Sequence, residues 1–380
     1  MLFAFYFYLR AKQTSAFESQ RKRRYYALSG ASFGLMMASK YFPHYFGLNM
    51  LFHHLYRVRE REAGAPRGTT PGLFYILVGL FFLIANPAVL LPQTWHYLQA
   101  YSSEQLITHT GYLMGQHLYK NNGSSTPFRG TPLYFYALFL AIKVPLPVII
   151  AFVVGLFESF RRWRHPGRGF LLLMFILWIV PYSLFGAKWL RYTLSLMPFV
   201  YMLAAVGITS LVNWTNALLQ RQSTEHVRNF ATAVLLLFFI ALPAWTAYAS
   251  GPHYAAYVNR LGGGRTGYFF PHDEFYDDGL REALRFVCET APQGATIAHE
   301  TPAVARYYLQ KYGRADLHSR TLSDAKFKLE ERTGPTYVIV QRGRTYFENV
   351  DKAAFARAKG TKVYEGFVAG ATAVEVYVVA

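Results

Sequence analysis

The sequence predicts a polytopic α-helical membrane protein that carries a small α/β domain at its C-terminal end. Hydrophobic residues make up 53% of the 380 residues and charged residues only 16%, whereas a soluble domain has about 25% charged residues. Apolar runs long enough to cross a bilayer follow one another up to residue 250. After Ser250 the pattern changes to short apolar strands that alternate with amphipathic helices, as in α/β domains.

Four segments have the length and hydropathy of complete spans, because an α-helix needs roughly 20 apolar residues to cross about 30 Å of hydrocarbon. They are Leu73–Pro92, Phe170–Phe185, Tyr192–Val212 and Phe230–Ala249. Leu133–Phe160 is a fifth, although Lys143, Pro145 and Pro147 interrupt it. Its first part suits an interfacial helix, with the crossing starting near Val144.

Two further apolar segments complete the predicted topology. Tyr25–Tyr56 is too long for one pass, and Lys40 and Pro43 divide it into a hairpin of two short spans. Met1–Leu9 has the composition of the end of a span whose beginning lies upstream, and it lacks the features of a signal peptide. The sequence therefore predicts a fold of about seven complete spans plus one partial span.

The positive charge of the chain is concentrated in its apolar part. The first 250 residues contain 22 basic and 6 acidic residues, and the last 130 contain 17 and 15. Basic clusters lie at 10–24, 57–67, 161–168 and 221–228, all on one side of the predicted topology. By the positive-inside rule this side is the cytoplasm. The loop 93–132, the link 186–191 and the chain after Ala249 are therefore predicted to be extracytoplasmic, and the clustering between spans argues against a nucleic-acid partner.

Three regions follow from this pattern: a membrane region over 1–249, a linker over 250–275 that contains a flexible glycine triplet (262–264), and an extracytoplasmic α/β domain over 276–380. Strands are predicted at 295–298, 337–341, 362–366 and 373–379, and helices at 277–290, 302–312, 323–332 and 352–359. Cys288 is the single cysteine, so the chain has no internal disulfide.

The predicted outer face carries an excess of cations over carboxylates near the membrane. Before residue 250, Glu104 is the one acidic residue on this predicted face. The cations on the same face are Lys40, Lys120, Arg129, Lys143, Lys188 and Arg191. Charges near hydrocarbon mark functional sites unless they are solvated. Lysine and arginine bind phosphate well, which indicates a phosphate partner. Lys40 and Lys120 suit an ordinary snorkelling or solvated role equally well, and Lys143 also suits the start of a span.

Two polar clusters are further candidates. The outer loop holds His109, His117, Lys120 and Arg129, which suit substrate contacts, and the spacing of the histidines matches no metal motif. His272, Asp273 and Glu274 lie in the densest acidic run of the chain. This run suits the N-cap and first turn of a helix, and the alternative is a wall of an acceptor or metal site.

Four segments together resemble one family of membrane enzymes. They are Ala31–Tyr41 (ASFGLMMASKY), Ile142–Pro147 (IKVPLP), Lys188–Pro198 (KWLRYTLSLMP) and Phe270–Asp277 (FPHDEFYD). In order and placement they resemble glycosyltransferases of the GT-C fold, in the branch of the protein O-mannosyltransferases and the lipid A aminoarabinose transferase. The likeness covers most of the chain, from about Leu2, and points to a bacterial subset.

The resemblance implies an inner-membrane enzyme that transfers a sugar, with inversion, from a polyprenyl-phosphate donor to a protein, lipid or glycan acceptor on the outer side. It implies that Lys40, Lys143, Lys188 and Arg191, with Tyr192, hold the donor phosphate, and it leaves a divalent cation open as cofactor. A carboxylate activates the acceptor hydroxyl in this family. Its catalytic aspartate would lie upstream of Met1, so we expect a truncated sequence; a complete chain without it is expected to be inactive.

Two other classes of function fit part of the pattern. Several spans, broken helices and interfacial cations also suit a lipid or glycan transporter or flippase, although the predicted spans contain no acidic residue for ion coupling and no inverted repeat. A catalytically inactive envelope scaffold would place its function in the α/β tail. The tail has near-balanced charge and no recognisable site, which gives the scaffold little support.

Overall fold

The structure is a computed structural model that describes residues 1–15, 17–39, 72–102, 110–122, 130–220, 224–331 and 334–379. The chain folds as two compact units. The first comprises Met1–Leu106 and Trp163–Leu177, and the second comprises Ile107–Arg162 and Trp178–Ala380. The domain boundaries expected after residues 249 and 275 remain predictions.

In the first unit, two helices pack closely because glycines lie at their contact. This unit contains α1 (Leu2–Gln13), α2 (Ser19–Ser39), α3 (Gly72–Ala85) and α4 (Pro92–Ser102). Gly30 and Gly34 lie one turn apart on α2, and a Cβ at either would lie 2.5 Å from the carbonyl oxygen of Phe74 or Val78 on α3. Small residues spaced in this way let two helix backbones approach closely.

The span predicted at Leu73–Pro92 is shorter than expected. Its α-helix ends at Ala85, and a 3₁₀ turn follows at Pro87–Leu90. Proline restricts the residue before it to extended conformations and lacks an N–H, so the helix ends ahead of Pro87. Half of the predicted hairpin at Tyr25–Tyr56, including Lys40, lies outside the described residues.

The remaining apolar helices confirm the predicted break in Leu133–Phe160. The helices are α5 (Phe135–Lys143), α6 (Leu146–Arg161), α7 (Pro166–Leu184), α8 (Met197–Leu219) and α9 (Glu225–Ala249). The break between α5 and α6 falls at Val144 and Pro145, as the sequence predicts. Helix α7 is divided between the two units after Leu177.

Three helices in the described part of the chain are long and apolar enough to cross a membrane. They are Gly167–Leu184, Met197–Leu219 and Glu225–Ala249. These helices support a membrane protein, and they match three of the predicted spans in position. A short 3₁₀ helix at Leu190–Ser195 precedes the second of them, so that span begins later than predicted. The count of about seven spans remains a prediction.

The C-terminal part forms a five-stranded mixed sheet with helices on both faces. Strand order is β4-β3-β5-β7-β6, from β3 (Thr296–His299), β4 (His318–Thr321), β5 (Thr336–Gln341), β6 (Thr361–Val368) and β7 (Ala371–Val379). Strands β3, β4 and β5 are parallel, and β7 runs antiparallel to β5 and β6. Helices α11 (Leu280–Thr290) and α12 (Pro302–Lys311) cover one face, and α13 (Val350–Lys359) covers the other. The predicted α/β domain is confirmed at this level.

In the tail, one strand was not predicted and one predicted helix is wrong. Strand β4 was not predicted, because its residues are polar and mostly exposed and give no apolar alternation. The helix predicted at 323–332 is absent from its described residues, 323–331, which form turns and irregular backbone. Phe327 and Leu329 in this segment are both buried in the same core cluster, whereas a helix would direct residues two apart to different faces.

Helices α6 and α8 cross at a pair of glycines. A Cβ at Gly155 would lie 1.8 Å from the Leu203 carbonyl oxygen, and a Cβ at Gly207 would lie 1.8 Å from that of Ala151. Neither contact can be tolerated without moving a backbone, so the crossing depends on both glycines.

We predict that Gly155→Ala lowers the unfolding temperature of the detergent-solubilised protein, because the added methyl forces the two backbones apart at a cost of about 1–3 kcal/mol. Gly79→Ala is the matched control, since a Cβ at this helical position meets nothing within 4 Å. Alanine should be neutral or stabilising there. Equal effects of the two substitutions would contradict the proposed crossing.

Candidate functional site

The second unit brings together three segments that are predicted to lie on one side of the membrane. The Tyr112 hydroxyl donates to Asp273 Oδ2 at 2.5 Å, and the backbone N–H of Leu190 donates to the same oxygen at 3.3 Å. Asn121 Nδ2 donates to the carbonyl of Lys188 at 3.0 Å. The outer loop, the link between α7 and α8, and the chain after α9 therefore meet at one place, which we call the loop cluster.

A β-hairpin not predicted from the sequence forms one side of the loop cluster. Its strands, β1 (Tyr112–Met114) and β2 (His117–Tyr119), flank a two-residue turn with Gly115 at φ +63°, which suits a tight hairpin. Thr110, just before β1, donates from its N–H and its hydroxyl to the Glu348 carboxylate, and its carbonyl accepts from the Phe347 N–H at 3.1 Å. The segment that follows β5 therefore holds the hairpin in place.

Lys143 ends α5 in a buried ion pair. Its Nζ lies 2.6 Å from Glu274 Oε1, with 6% of the Lys143 side chain and none of the Glu274 side chain exposed. The same ammonium donates to the carbonyls of Ala255 and Tyr257 at 2.9 and 2.8 Å. Burial lowers the pKa of Lys143 and raises that of Glu274, and their mutual attraction opposes both shifts. The interpretation of Lys143 as a cation short of a protein anion is wrong, because Glu274 reaches it from 131 residues further along the chain.

The segment around the glycine triplet at 262–264 is held in place and is not the flexible linker that the sequence predicts. The Asn259 side chain donates to the carbonyls of Ala141 and Val144 at 2.7 and 2.8 Å, and its N–H donates to that of Ile142. These bonds satisfy carbonyls at the end of α5 that the helix leaves unpaired. Gly262 is buried against Ile142. The chain after α9 is thereby tied to α5.

Lys188 is fully buried. Its hydrogen bonds connect the link between α7 and α8 to the outer loop. Its ammonium donates to the carbonyls of Thr131 and Phe185 at 2.7 and 2.6 Å, and its N–H donates to Asn121 Oδ1 at 2.6 Å. Burial lowers the pKa of Lys188 to about 8. Two of its three ammonium hydrogens are thus engaged with backbone carbonyls, which gives this lysine a positioning role.

Among the predicted phosphate-binding cations that the structure describes, Arg191 is the one whose side chain is exposed. Its side chain is exposed, and its guanidinium lies over the rings of Trp189 and Tyr192, at 4.8 and 5.8 Å from their centroids. Within the described residues it forms no ion pair with a carboxylate. Tyr192 is half-buried and packs against Tyr182 at 5.7 Å.

The predicted outer-loop residues are only partly described. Lys120 and His117 are exposed, and the His117 ring lies 6.3 Å from that of Tyr119 on the same strand. Lys40, His109 and Arg129 lie outside the described residues. Their predicted roles therefore remain predictions.

The three consecutive residues His272, Asp273 and Glu274 lie on a short helix, α10 (Pro271–Phe275), and face different partners. Glu274 pairs with Lys143, and its Oε2 also accepts from the N–H of Gly267. The His272 ring packs 4.6 Å from that of Trp189, and burial lowers its pKa to about 3, helped by nearby Arg344 and Arg191. In the parts of the chain that the structure describes, no three His, Cys, Asp or Glu side chains are grouped to hold a metal ion.

Side chains of the sheet domain bind the residues that follow α10. The Asp277 carboxylate accepts from Arg344 Nε and Nη2 at 2.9 and 2.7 Å, and from Gln341 at 3.2 Å. The Arg344 guanidinium lies 4.1 Å from the centre of the Tyr276 ring, and Tyr276 has φ +47°. Positive φ is costly for a tyrosine, and these contacts stabilise it.

Sequence reasoning missed the side chains that position the site. Tyr112, Asn121, Asn259 and Arg344 each act on a partner more than 60 residues away in sequence. No local spacing signals such contacts. Compared with known proteins, the chain matches no family model, and no curated protein matches it significantly. The activity is therefore inferred from the site.

We predict that breaking the buried ion pair destabilises the protein strongly. Lys143→Met and Glu274→Gln should each cost about 3–5 kcal/mol, because the remaining charge is buried without its partner. The double variant should cost less than the sum of the two, as denaturant unfolding in detergent would show.

The matched control is the more accessible Lys362–Glu365 pair, whose side chains are 43% and 28% exposed and whose N–O distance, 2.7 Å, is nearly the same. Lys362→Met and Glu365→Gln should change stability far less, because solvent screens an exposed pair. If the effects of the buried and exposed pairs were similar, or if the Lys143 and Glu274 effects were additive, the ion pair would have no structural role.

Proposed function

We propose that the protein transfers a sugar from a polyprenyl-phosphate donor to an acceptor at the outer face of a bacterial inner membrane, and that Arg191 binds the donor phosphate. The proposal rests on the environment of the Arg191 guanidinium. This group is exposed and stacked on Trp189, and it forms no ion pair with a described carboxylate. Arginine binds phosphate through two parallel hydrogen bonds. Stacking on an indole fixes the plane of the guanidinium before the ligand arrives.

The position of Arg191 in the chain supports a lipid-borne phosphate. It lies in the short link between Gly167–Leu184 and Met197–Leu219, two helices that are able to cross a membrane. A link between two consecutive spans lies at a membrane face, at the depth of lipid headgroups. The positive clusters at 161–168 and 221–228, at the other ends of these helices, favour the extracytoplasmic face for Arg191.

Lys143 and Lys188 are both engaged with protein groups, which supports the assignment of phosphate binding to Arg191. Lys143 is neutralised by Glu274, and Lys188 is bonded to two carbonyls. Both hold the segments around Arg191. We therefore assign phosphate binding to Arg191, with Tyr192 beneath its guanidinium, and structural roles to the two lysines. A divalent cation and the identity of the sugar and acceptor are left open.

We predict that Arg191→Gln weakens the binding of polyprenyl monophosphate by at least tenfold, because the substitution removes the charge and the paired hydrogen bonds. Binding is measured by titrating the lipid into the purified protein in nanodiscs. Arg265→Gln is the matched control: Arg265 is also exposed and lies over an aromatic ring, that of Tyr268, at 5.5 Å. Its substitution should change affinity less than twofold.

Equal losses in both variants would indicate a general effect of surface charge on the lipid. Unchanged binding in Arg191→Gln would contradict the assignment of the phosphate to this residue.

A further inference from the structure

We infer that the connection between α9 and α10, residues 250–270, docks on the surface of the bilayer. Tyr254 and Leu261 enter the boundary between headgroups and acyl chains, and Arg260 contacts anionic headgroups. The inference goes beyond the proposed function and holds whether or not the protein transfers a sugar. It rests on the exposure of these side chains, on the contacts that hold the connection, and on the two helix ends between which it lies.

Two large apolar side chains of the connection are exposed. Tyr254 and Leu261 are each 65% exposed, and they lie on the short 3₁₀ turns Tyr254–Ala256 and Arg260–Gly262. Single exposed apolar residues are common on soluble surfaces and carry no meaning by themselves. What distinguishes these two is the order of the backbone that presents them and their place next to helices of the membrane region.

Buried hydrogen bonds hold both turns in place. Lys143 and Thr266 donate to the carbonyls of residues 255–257, at distances of 2.8 to 2.9 Å. The side-chain oxygen of Asn259 accepts from the N–H groups of Leu261 and Gly262 at 2.8 and 3.3 Å. The exposed side chains therefore project from ordered backbone, so docking does not have to order the chain first.

Tyr254 lies beside the end of α9, a helix that is able to cross a membrane and that ends at Ala249. Near this end Trp245 and Tyr248 are 65% and 79% exposed. Exposed tryptophan and tyrosine at the end of a span are typical of the membrane interface. The Tyr254 hydroxyl lies 3.1 Å from the position that a Cβ on Gly251 would occupy, which places the phenol next to this interface.

Leu261 lies beside the start of α6. Asn259 Nδ2 donates to the carbonyl of Val144 at 2.8 Å, and α6 begins two residues later. Gly262, next to Leu261, packs on Ile142. The sequence predicts that a membrane crossing starts near Val144, on the same side as the end of α9. A segment fastened to both helix ends lies at the depth of the headgroups.

The charge of the connection favours lipid over a second copy of the chain. Arg260 is exposed, adjoins Leu261 and forms no ion pair within the described residues. Apolar side chains beside a cation suit an anionic bilayer surface, which takes up the first and attracts the second. A twofold contact between two copies through this turn would instead bring the two Arg260 side chains together, because such contacts pair a surface with itself.

The test uses the full chain in nanodiscs, in a Cys288→Ser background. Leu261→Cys is labelled with a fluorophore, and the phosphatidylcholine of the disc carries a nitroxide quencher at the fifth acyl carbon. Because a docked side chain lies about 5–10 Å into the boundary, the fluorescence should fall by about twofold or more. Phe367→Cys is the matched control: Phe367 is 63% exposed but lies on the edge strand β6 of the sheet domain, and its label should stay unquenched.

Replacing about a third of the phosphatidylcholine by phosphatidylglycerol tests the role of the charge. The anionic lipid should lower the fluorescence at position 261 further, because it attracts Arg260. Arg260→Gln should abolish this further loss and keep the quenching seen in phosphatidylcholine alone. Arg306→Gln is the control, since Arg306 is exposed on α12 and forms no ion pair within the described residues. It should leave the response to phosphatidylglycerol in place.

The outcomes are distinct, and none of them depends on enzymatic activity. Quenching at position 261 that is no greater than at position 367 overturns the docking. Absence of quenching together with cross-linking of two Leu261→Cys chains in vesicles overturns it in favour of a contact between copies. A response to phosphatidylglycerol that persists in Arg260→Gln overturns the role of Arg260, and the quenching result then decides the docking of Tyr254 and Leu261.

Discussion

The buried contact between the Lys143 ammonium and the Glu274 carboxylate is the constraint on which the site depends. Its N–O distance is 2.6 Å, and almost none of either side chain is exposed. Two buried charges are tolerated only as a hydrogen-bonded pair, so the end of α5 and the helix α10 must stay together. Because His272 and Asp273 directly precede Glu274 on α10, the same contact sets their positions.

Three consecutive residues of one helical turn can serve three purposes because successive side chains point about 100° apart. Glu274 faces the lysine, Asp273 faces Tyr112 and the link that carries Arg191, and His272 faces Trp189. With its pKa at about 3, His272 is neutral at physiological pH. It thus contributes packing without adding charge beside Arg191. The separation of roles follows from helix geometry and the ion pair alone.

Much of the fold was predictable from the sequence, because hydrophobic periodicity is a local property. It gave the three membrane-length helices, the break before α6 and four strands of the tail. The polar edge strand β4 and the turns at 323–331 were not predicted, because neither segment has the hydrophobic periodicity that is typical of its observed structure. The identity of the site residues was predictable only in part. Arg191 and the run 272–274 stand out by charge and place, whereas Tyr112 and Asn121 act through contacts distant in sequence.

The proposed chemistry requires the loop cluster and the sheet domain to lie on the extracytoplasmic side of the membrane, and labelling of single cysteines tests this most directly. Lys120→Cys, Lys311→Cys and Arg164→Cys, at three exposed positions, are each placed in a Cys288→Ser background. Sealed right-side-out vesicles are then treated with a membrane-impermeant maleimide. Positions 120 and 311 should react at once, and position 164 only after the vesicles are opened. The reverse pattern would place Arg191 in the cytosol and contradict the proposed chemistry.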